Sequence, residues 1–299
     1  MRGRFAPSPT GDLHLGNLRT ALAAHESARA QGGTFIVRME DLDPVTSSPE
    51  HAQRQLADLE ALGVSSDEPV VWQSDRFALY RDAIADLDRR GLVYPCFCTR
   101  REIREAAAAP HHDGRPEGAY PGTCRSLTES ARRDKERAGR PFALRLRSGD
   151  EVIGRHVTGV TDRVAGWFEG LVDDVVLQRN DGVPAYNLAV VVDDALQGIT
   201  EVVRGDDLLA STPRQVHLQH LLGYPTPAYA HLPLVVAPDG VRLAKRHGAV
   251  TLRDAAAHGY DALRVRTLLL ASLGMDQGSS FDWDAVPREP WTPPSDLVR

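Results

Sequence analysis

Pro7-Ser8-Pro9-Thr10-Gly11-Asp12-Leu13-His14-Leu15-Gly16-Asn17 is a turn-rich stretch that ends in a histidine and a glycine as an apolar periodicity of helical spacing begins. Before it, Met1 to Phe5 has room only for a short strand. After it, Leu18, Ala21, Leu22, His25 and Ala28 recur at helical intervals until Gly32-Gly33 stops them. The order is strand, loop, helix N-terminus. Such a junction aims unpaired backbone N–H groups and the positive end of a helix dipole at one point, which suits an anion such as a nucleotide phosphate. His14 adds a donor there, although a histidine at a helix start, taken alone, reads first as a cap.

A distant segment supplies a partner. Residues 232 to 246 read Leu-Pro-Leu-Val-Val-Ala-Pro-Asp-Gly-Val-Arg-Leu-Ala-Lys-Arg, a buried-type strand over Leu232 to Ala237, a Pro-Asp-Gly turn and a short basic loop. Of the 35 basic residues only Lys135 and Lys245 are lysine, so the chain uses arginine nearly everywhere a cation will do. Lysine is a compact point charge on a flexible stem, a form suited to a phosphate that moves.

The two segments resemble the ATP-handling motifs of class I aminoacyl-tRNA synthetases. His14-Leu15-Gly16-Asn17 matches the His-Ile-Gly-His motif, with Asn17 in place of the second histidine. Arg242-Leu243-Ala244-Lys245-Arg246 matches the Lys-Met-Ser-Lys-Ser motif, with Ala244 in place of the serine. The resemblance is to the glutamyl branch, carried by residues 3 to 11, Arg38-Met39-Glu40-Asp41-Leu42-Asp43, Ala185-Tyr186-Asn187-Leu188-Ala189 and Val203-Arg204-Gly205-Asp206-Asp207-Leu208. It covers most of residues 1 to 250. It implies ATP contacts from His14, Gly16, Asn17 and Lys245, of which His14 and Lys245 are catalytic. It also implies an L-glutamate pocket of Arg4, Phe5, Ala6, Pro7, Ser8, Glu40, Tyr186 and Arg204. Arg4 and Arg204 would hold a carboxylate, Glu40 the ammonium, and Tyr186 would give a hydroxyl contact. Mg2+ is expected with the ATP.

Composition is that of a soluble globular protein: 299 residues, 42% apolar, 25% charged. No run approaches the roughly eighteen apolar residues of a membrane span, and the N-terminus lacks a secretory pattern, so a cytoplasmic, monomeric protein is expected. The net charge of -6 argues against a general nucleic-acid binder. Its distribution is uneven: residues 100 to 155 carry 13 basic and 9 acidic side chains against 22 and 32 elsewhere. A basic insert on an acidic body can seat RNA; it can equally be a solvated arginine-rich surface.

Three cysteines, Cys96, Cys98 and Cys124, lie close together in the sequence, and an odd number in a reducing compartment points away from disulfides. Cys-x-Cys and a returning Cys124 supply three of the four donors of a zinc site. Chemistry alone would take the fourth from His111 or His112. The short glutamyl-queuosine tRNA(Asp) synthetases, which the chain resembles, have a Cys-x-Cys, Tyr-x-x-x-Cys site, and this implies Tyr120 instead, in a single structural Zn2+ site.

The chain reads as α/β in four parts. Residues 1–93 alternate strand and helix as the first half of a Rossmann-type parallel sheet, with a helix opened by Ser48-Pro49 and another over Ser74 to Arg90. Residues 94–184 break the pattern with cysteines, a Ser126-Leu127-Thr128-Glu129 capping box and extended runs at Phe142 to Arg147 and Val172 to Gln178, and read as an inserted α+β, zinc-bearing, acceptor-type domain. Residues 185–250 resume the sheet, and 251–299 form a short helical region. Only 54 residues follow Lys245, too few for the anticodon-binding domain of full glutamyl-tRNA synthetases. By resemblance, the expected activity is ATP-dependent activation of L-glutamate and its transfer to queuosine in the anticodon of tRNA(Asp). The alternatives are a truncated synthetase charging tRNA(Glu), another nucleotidyltransferase, and an inactive RNA-binding paralogue.

Overall fold

In the computed structural model, which describes residues 1–107, 119–149, 156–237, 239–240, 243, 250–276 and 278–297, β1 (Arg2–Phe5) runs into the loop at 7 to 14, and α1 (Leu15–Ala30) leaves it. β2 (Thr34–Met39), α2 (Pro49–Ala61), β3 (Val71–Trp72), a 3-10 turn and α3 (Phe77–Arg89) continue the βα alternation. Next come β4 (Val93–Cys96), α4 (Arg100–Ala107), α5 (Glu129–Arg137), β5 (Ala143–Leu146), the hairpin β6 (His156–Asp162) and β7 (Gly166–Val172), and β8 (Val176–Gln178). Then follow α6 (Tyr186–Leu196), β9 (Glu201–Gly205), α7 (Thr212–Leu222), β10 (Ala228–Leu232), α8 (Leu252–Ala257) and α9 (Ala262–Ser272).

The principal sheet has the order β3-β2-β1-β9-β10-β6-β7, parallel except for the β6/β7 hairpin, and β4-β5-β8 form a small antiparallel sheet. β1 is followed in sequence by its neighbour on one side, β2, whereas its other neighbour, β9, comes much later. The winding therefore reverses at β1, and ligands of open α/β sheets bind outside the strand ends at such a point. The loop at 7 to 14 leaves β1 there. Strands β1 and β2 are buried along nearly their whole length because helices cover both faces. α1 packs its Leu18, Ala21, Leu22 and Ala28 into the main core, joined there by Val265 and Leu269 of α9 and by Phe281 and Leu297 of the tail. The stretch 94–184 contributes to both sheets, since its β6 pairs with β10 at Asp162 opposite Tyr229.

Three local expectations differ from what is seen. The strand expected over Leu232 to Ala237 ends at Leu232 and begins at Ala228. Pro233 has no N–H with which to continue a ladder, and beyond it Leu234 and Val236 bond instead to the backbone of Trp291. The helix cap falls on Thr128, whose hydroxyl accepts from the Ala131 N–H, and not on Ser126. Residues 122 to 127 are used in turns, with Arg125 N–H donating to Gly122 and Leu127 N–H to Cys124. Val172 to Gln178 is split by Asp173 and Asp174, whose buried carboxylates accept from the N–H groups of Tyr120 and Ser148. Ser48 caps α2 with Pro49 at its first position, as the sequence reads. Among the described residues no helix is long and apolar enough to cross a membrane.

Candidate active site

His14 is the N-cap of α1. Its Nδ1 accepts from the N–H groups of Gly16 (3.1 Å) and Asn17 (3.4 Å), while the Asn17 side-chain oxygen accepts from the His14 N–H at 3.2 Å. This reciprocal box explains the asparagine at position 17: it locks the loop. Leu15 N–H goes to Val250 and Leu18 N–H to the His14 carbonyl. The first-turn N–H groups are thus satisfied within the chain, contrary to the expectation of unpaired donors, because the histidine and residue 250 take them. The helix dipole remains, and with Nδ1 accepting, the neutral ring carries its proton on Nε2. A Cβ on Gly16 would lie 3.0 Å from Cε1 and 3.1 Å from Nδ1 of His14, so glycine is what lets the ring fold back over the helix.

Arg4, Phe5, Ala6, Pro7, Ser8, His14, Gly16, Asn17, Glu40, Tyr186 and Arg204 all line one cavity of about 530 Å3 above the ends of β1 and β9. Lys245 lies outside the described residues, as do Arg242, Ala244, Arg246, His111 and His112. Leu243, two positions before Lys245 in the sequence, is buried and lines the same cavity beside Val235. Thr251, where the described chain resumes with Val250, forms a bridge with His14.

Arg4 and Glu40, which line the cavity, belong to a buried charge network that the sequence reading did not isolate. Arg38 on β2 is fully buried and meets Asp194 at 2.9 Å, Glu40 at 3.4 Å and Asp193 at 3.6 Å. Arg4 reaches both oxygens of Asp194, at 3.2 and 3.5 Å. Despite its burial, Asp194 is held below the usual carboxylate range by Arg4 and Arg38. Asp193 accepts from Gln73, Arg76 and Tyr80. Glu40 is poorer in partners: burial pushes its carboxyl up to about 7, against the pull of Arg38 and Arg4 and with the help of Asp194 and Asp193. Burial and the nearby Glu40 raise the Tyr186 phenol. The signal for this network was Asp193-Asp194 in α6, directly after Val190-Val191-Val192, where acidic residues on a buried helix require cationic partners.

Arg204 has a different setting. Its guanidinium donates to His231 Nε2 (2.9 Å), Gln215 Oε1 (2.7 Å) and Thr212 Oγ1 (2.8 Å), all neutral acceptors, and is buried at 5% exposure. Among the described residues no carboxylate forms an ion pair with it. Arg19 of α1 likewise donates, among the described residues, to Ser272 and the Pro233 carbonyl, and burial lowers it to about 10.

The three cysteines converge at the edge of the small sheet, their sulfur atoms all within 4.8 Å of one another. Cys98 and Cys124 are 3.5 Å apart, and the Tyr120 hydroxyl lies 3.3 Å from the Cys96 sulfur and 3.8 Å from that of Cys98. Hydrogen bonds from Cys124 and Tyr120 draw the Cys96 thiol well below its usual range, outweighing burial. The three cysteines can hold a metal ion. A second cavity of about 780 Å3 extends from Ser8, Thr10, Glu40 and Tyr186, which it shares with the first, to Cys96 and Cys98, past Arg100, Arg140 and Arg179.

Comparison with known proteins gives the chain a family. The family described as tRNA synthetases class I (E and Q), catalytic domain, matches residues 1–280. The glutamyl-Q tRNA(Asp) synthetase of Nocardia farcinica is 56% identical over 295 residues, spanning 97% of this chain and 92% of that protein. The protein of the same name from Symbiobacterium thermophilum is 47% identical, spanning 99% of this chain and 97% of its own. The crystal structure of glutamate-tRNA synthetase from Elizabethkingia anophelis superimposes with a TM-score of 0.80 at 26% identity, covering 100% of this chain and 69% of that one. The chain therefore belongs to the class I tRNA synthetase family for E and Q, a family of ligases, and within it to the glutamyl-Q tRNA(Asp) synthetases.

Proposed function

We propose that the chain activates L-glutamate with Mg2+-bound ATP and transfers the glutamyl group to queuosine in the anticodon of tRNA(Asp). The observation that carries the first half is the pairing, in one cavity, of a buried arginine with only neutral partners and a buried carboxyl raised to about 7 with a histidine-capped helix N-terminus. Glutamate is complementary to the first pair: its carboxylate meets Arg204 and its ammonium meets Glu40, with Tyr186 alongside and Arg4, Phe5, Ala6, Pro7 and Ser8 forming the wall. The nucleotide takes the other end. His14 donates from Nε2 to phosphate oxygens over Gly16 and Asn17, and Lys245, two positions after cavity-lining Leu243, offsets charge on the leaving group.

The α-carboxylate oxygen attacks the α-phosphorus in line, the bond to the β-phosphate oxygen breaks, and pyrophosphate departs. No protein nucleophile takes part; the protein positions the reactants and neutralises charge. A cyclopentenediol hydroxyl of queuosine then attacks the adenylate carbonyl carbon, forming an ester and releasing AMP. The second cavity, which shares Glu40 and Tyr186 with the first and is bordered by arginines, is the side from which an anticodon nucleotide would approach. The names of the curated relatives support this acceptor.

Cys96, Cys98, Tyr120 and Cys124 are the proposed holders of one structural Zn2+. Sulfur atoms around a tetrahedral zinc at about 2.3 Å stand roughly 3.8 Å apart, close to the 3.5 Å between Cys98 and Cys124. When bound, the ion would tie β4 to the loop that carries Cys124. Residues 94–184 would then face the RNA as the acceptor-side insert, in a monomeric cytoplasmic enzyme. The test is labelled glutamate with tRNA(Asp) prepared with and without queuosine. Label confined to the queuosine-containing anticodon is expected; equal labelling of both, or label at the 3′ end, would reject the reading.

A further inference from the structure

We propose that Asp162 and His231 are positioning residues that lock one imidazole tautomer and thereby hold Arg204 as a cation reserved for the substrate carboxylate. The inference rests on the reading of Arg204 given above and adds two residues that the sequence did not connect with the site. Asp162 ends β6, whereas His231 stands on β10 in register with Arg204 of β9. All three are buried.

The hydrogen bonds leave one assignment. An arginine Nε–H only donates, so His231 Nε2, 2.9 Å from it, accepts and carries no proton. The ring proton is on Nδ1, which donates to Asp162 Oδ2 at 2.6 Å. The other carboxylate oxygen, Oδ1, accepts from the N–H groups of Val164, Ala165 and His231 itself, at 2.9, 2.9 and 3.2 Å. Three backbone donors fix the carboxylate, the carboxylate fixes the tautomer, and the tautomer presents a neutral acceptor to Arg204. Burial, aided by the charge of Arg204 and opposed by the Asp162 hydrogen bond, also keeps the imidazole below its ordinary range. A carboxylate touching Arg204 directly would orient it as well, but would cancel the charge that the substrate is to meet.

Asp162→Asn is therefore not a silent exchange. The three backbone donors keep the amide oxygen on their side, so the amide NH2 faces His231 Nδ1 and forces the proton to Nε2, where it confronts the Arg204 Nε–H. Two buried donors left facing each other weaken glutamate binding by about tenfold or more. In glutamate-dependent pyrophosphate exchange with the full chain, Asp162→Asn and His231→Asn should each raise the KM for glutamate by that factor and leave the KM for Mg-ATP within about twofold. His231→Gln, whose amide oxygen can replace Nε2 as acceptor, should stay nearer wild type than His231→Asn. The double variant D162N/H231Q should bind glutamate better than D162N alone, because glutamine has no tautomer to misassign; a packing role predicts the opposite order. Nitrogen NMR of 15N-histidine-labelled protein should show the His231 proton moving from Nδ1 to Nε2 in D162N. Wild-type glutamate KM in D162N, or equal KM in His231→Asn and His231→Gln, overturns the proposal. Arg204→Gln separates the two levels: if it leaves the glutamate KM unchanged, the reading of Arg204 falls and takes this inference with it. If it raises KM while D162N does not, only the positioning role falls.

Discussion

Glu40→Gln should make the protein more stable and less able to use glutamate, and both effects should grow as pH rises through the titration of Glu40. Glu40 is 9% exposed, and burial raises its carboxyl from the usual 4.5 to about 7. At roughly 1.4 kcal/mol per unit, holding it ionised in the unliganded fold costs about 3 kcal/mol. The folded value lies above the unfolded one, so the native state binds the extra proton. The cost is fully present above pH 7, shrinks as pH falls through the interval from 7 to 4.5, and is absent below it. The glutamine variant has no such cost, and it should melt a few degrees higher than wild type at pH 8 and equal to it near pH 4.

The catalytic consequence has the reverse sign. The substrate ammonium favours ionised Glu40, and at pH 6 only about one molecule in eleven carries that charge when the carboxyl titrates near 7. Arg38, Arg4, Asp194 and Asp193 are the charged groups that set this value, and Tyr186 faces it as a neutral phenol. In pyrophosphate exchange at saturating Mg-ATP, kcat/KM for glutamate should rise about tenfold from pH 6 to a plateau above pH 7.5. Glutamate itself does not titrate in this window. The variant should lose at least about thirtyfold at the plateau, the equivalent of about 2 kcal/mol for a truncated buried charge pair, and show no slope attributable to this group. A flat wild-type profile, or the same slope in the variant, would refute the assignment of Glu40 to the ammonium.

Three further outcomes are expected. Lys245→Ala should reduce pyrophosphate exchange by about a hundredfold or more, the loss typical when one charge-stabilising donor is removed, with an unchanged melting temperature; exchange near the wild-type rate would exclude Lys245 from the reaction. Gly16→Ala should push the His14 ring off its cap, since the new Cβ would lie 3.0 Å from Cε1, and should lower kcat more than it raises the glutamate KM. Cys124→Ser should purify with markedly less than the one equivalent of zinc expected of wild type, read by elemental analysis; equal zinc content would remove Cys124 from the ligand set.

The parts of the fold set by local chemistry were legible in the sequence. The loop–helix junction at His14, the Ser48-Pro49 helix start and the glycine stop at 32 and 33 depend on residues within a few positions of one another, and each is in place. The principal sheet's partners were less so, because pairing β6 with β10 joins residues 67 positions apart and leaves only a faint alternation in the strand itself. The cap at 126 to 129 was misplaced by two residues, since two serine/threonine candidates compete and the turn at Cys124 decides between them. The buried charge network was hidden for the same reason as the sheet: Arg38 meets Asp193 and Asp194 only once β2 and α6 are packed together. A single arginine in a strand and two aspartates in a helix carry no mark of each other.

The two arginines read together as carboxylate holders differ in their partners, and the difference fits the reaction proposed. Arg4 shares its charge with Asp194 at 3.2 Å, whereas Arg204 meets only neutral acceptors. Glutamate brings two carboxylates, and the one that must attack phosphorus is a better nucleophile when it is not held in a tight ion pair. Two uncompensated arginines would bind both carboxylates equally and hold back the attacking one. In the proposed reading Arg204 would take the side-chain carboxylate, and Arg4, paired with Asp194, would shape the pocket by hydrogen bonding. The same asymmetry would select against substrates without a second carboxylate, because the Arg204 charge would then remain buried and unpaired, a cost on the order of several kcal/mol. In that reading, specificity and reactivity would follow from where Asp194 is and from the absence of any such carboxylate beside Arg204 among the described residues.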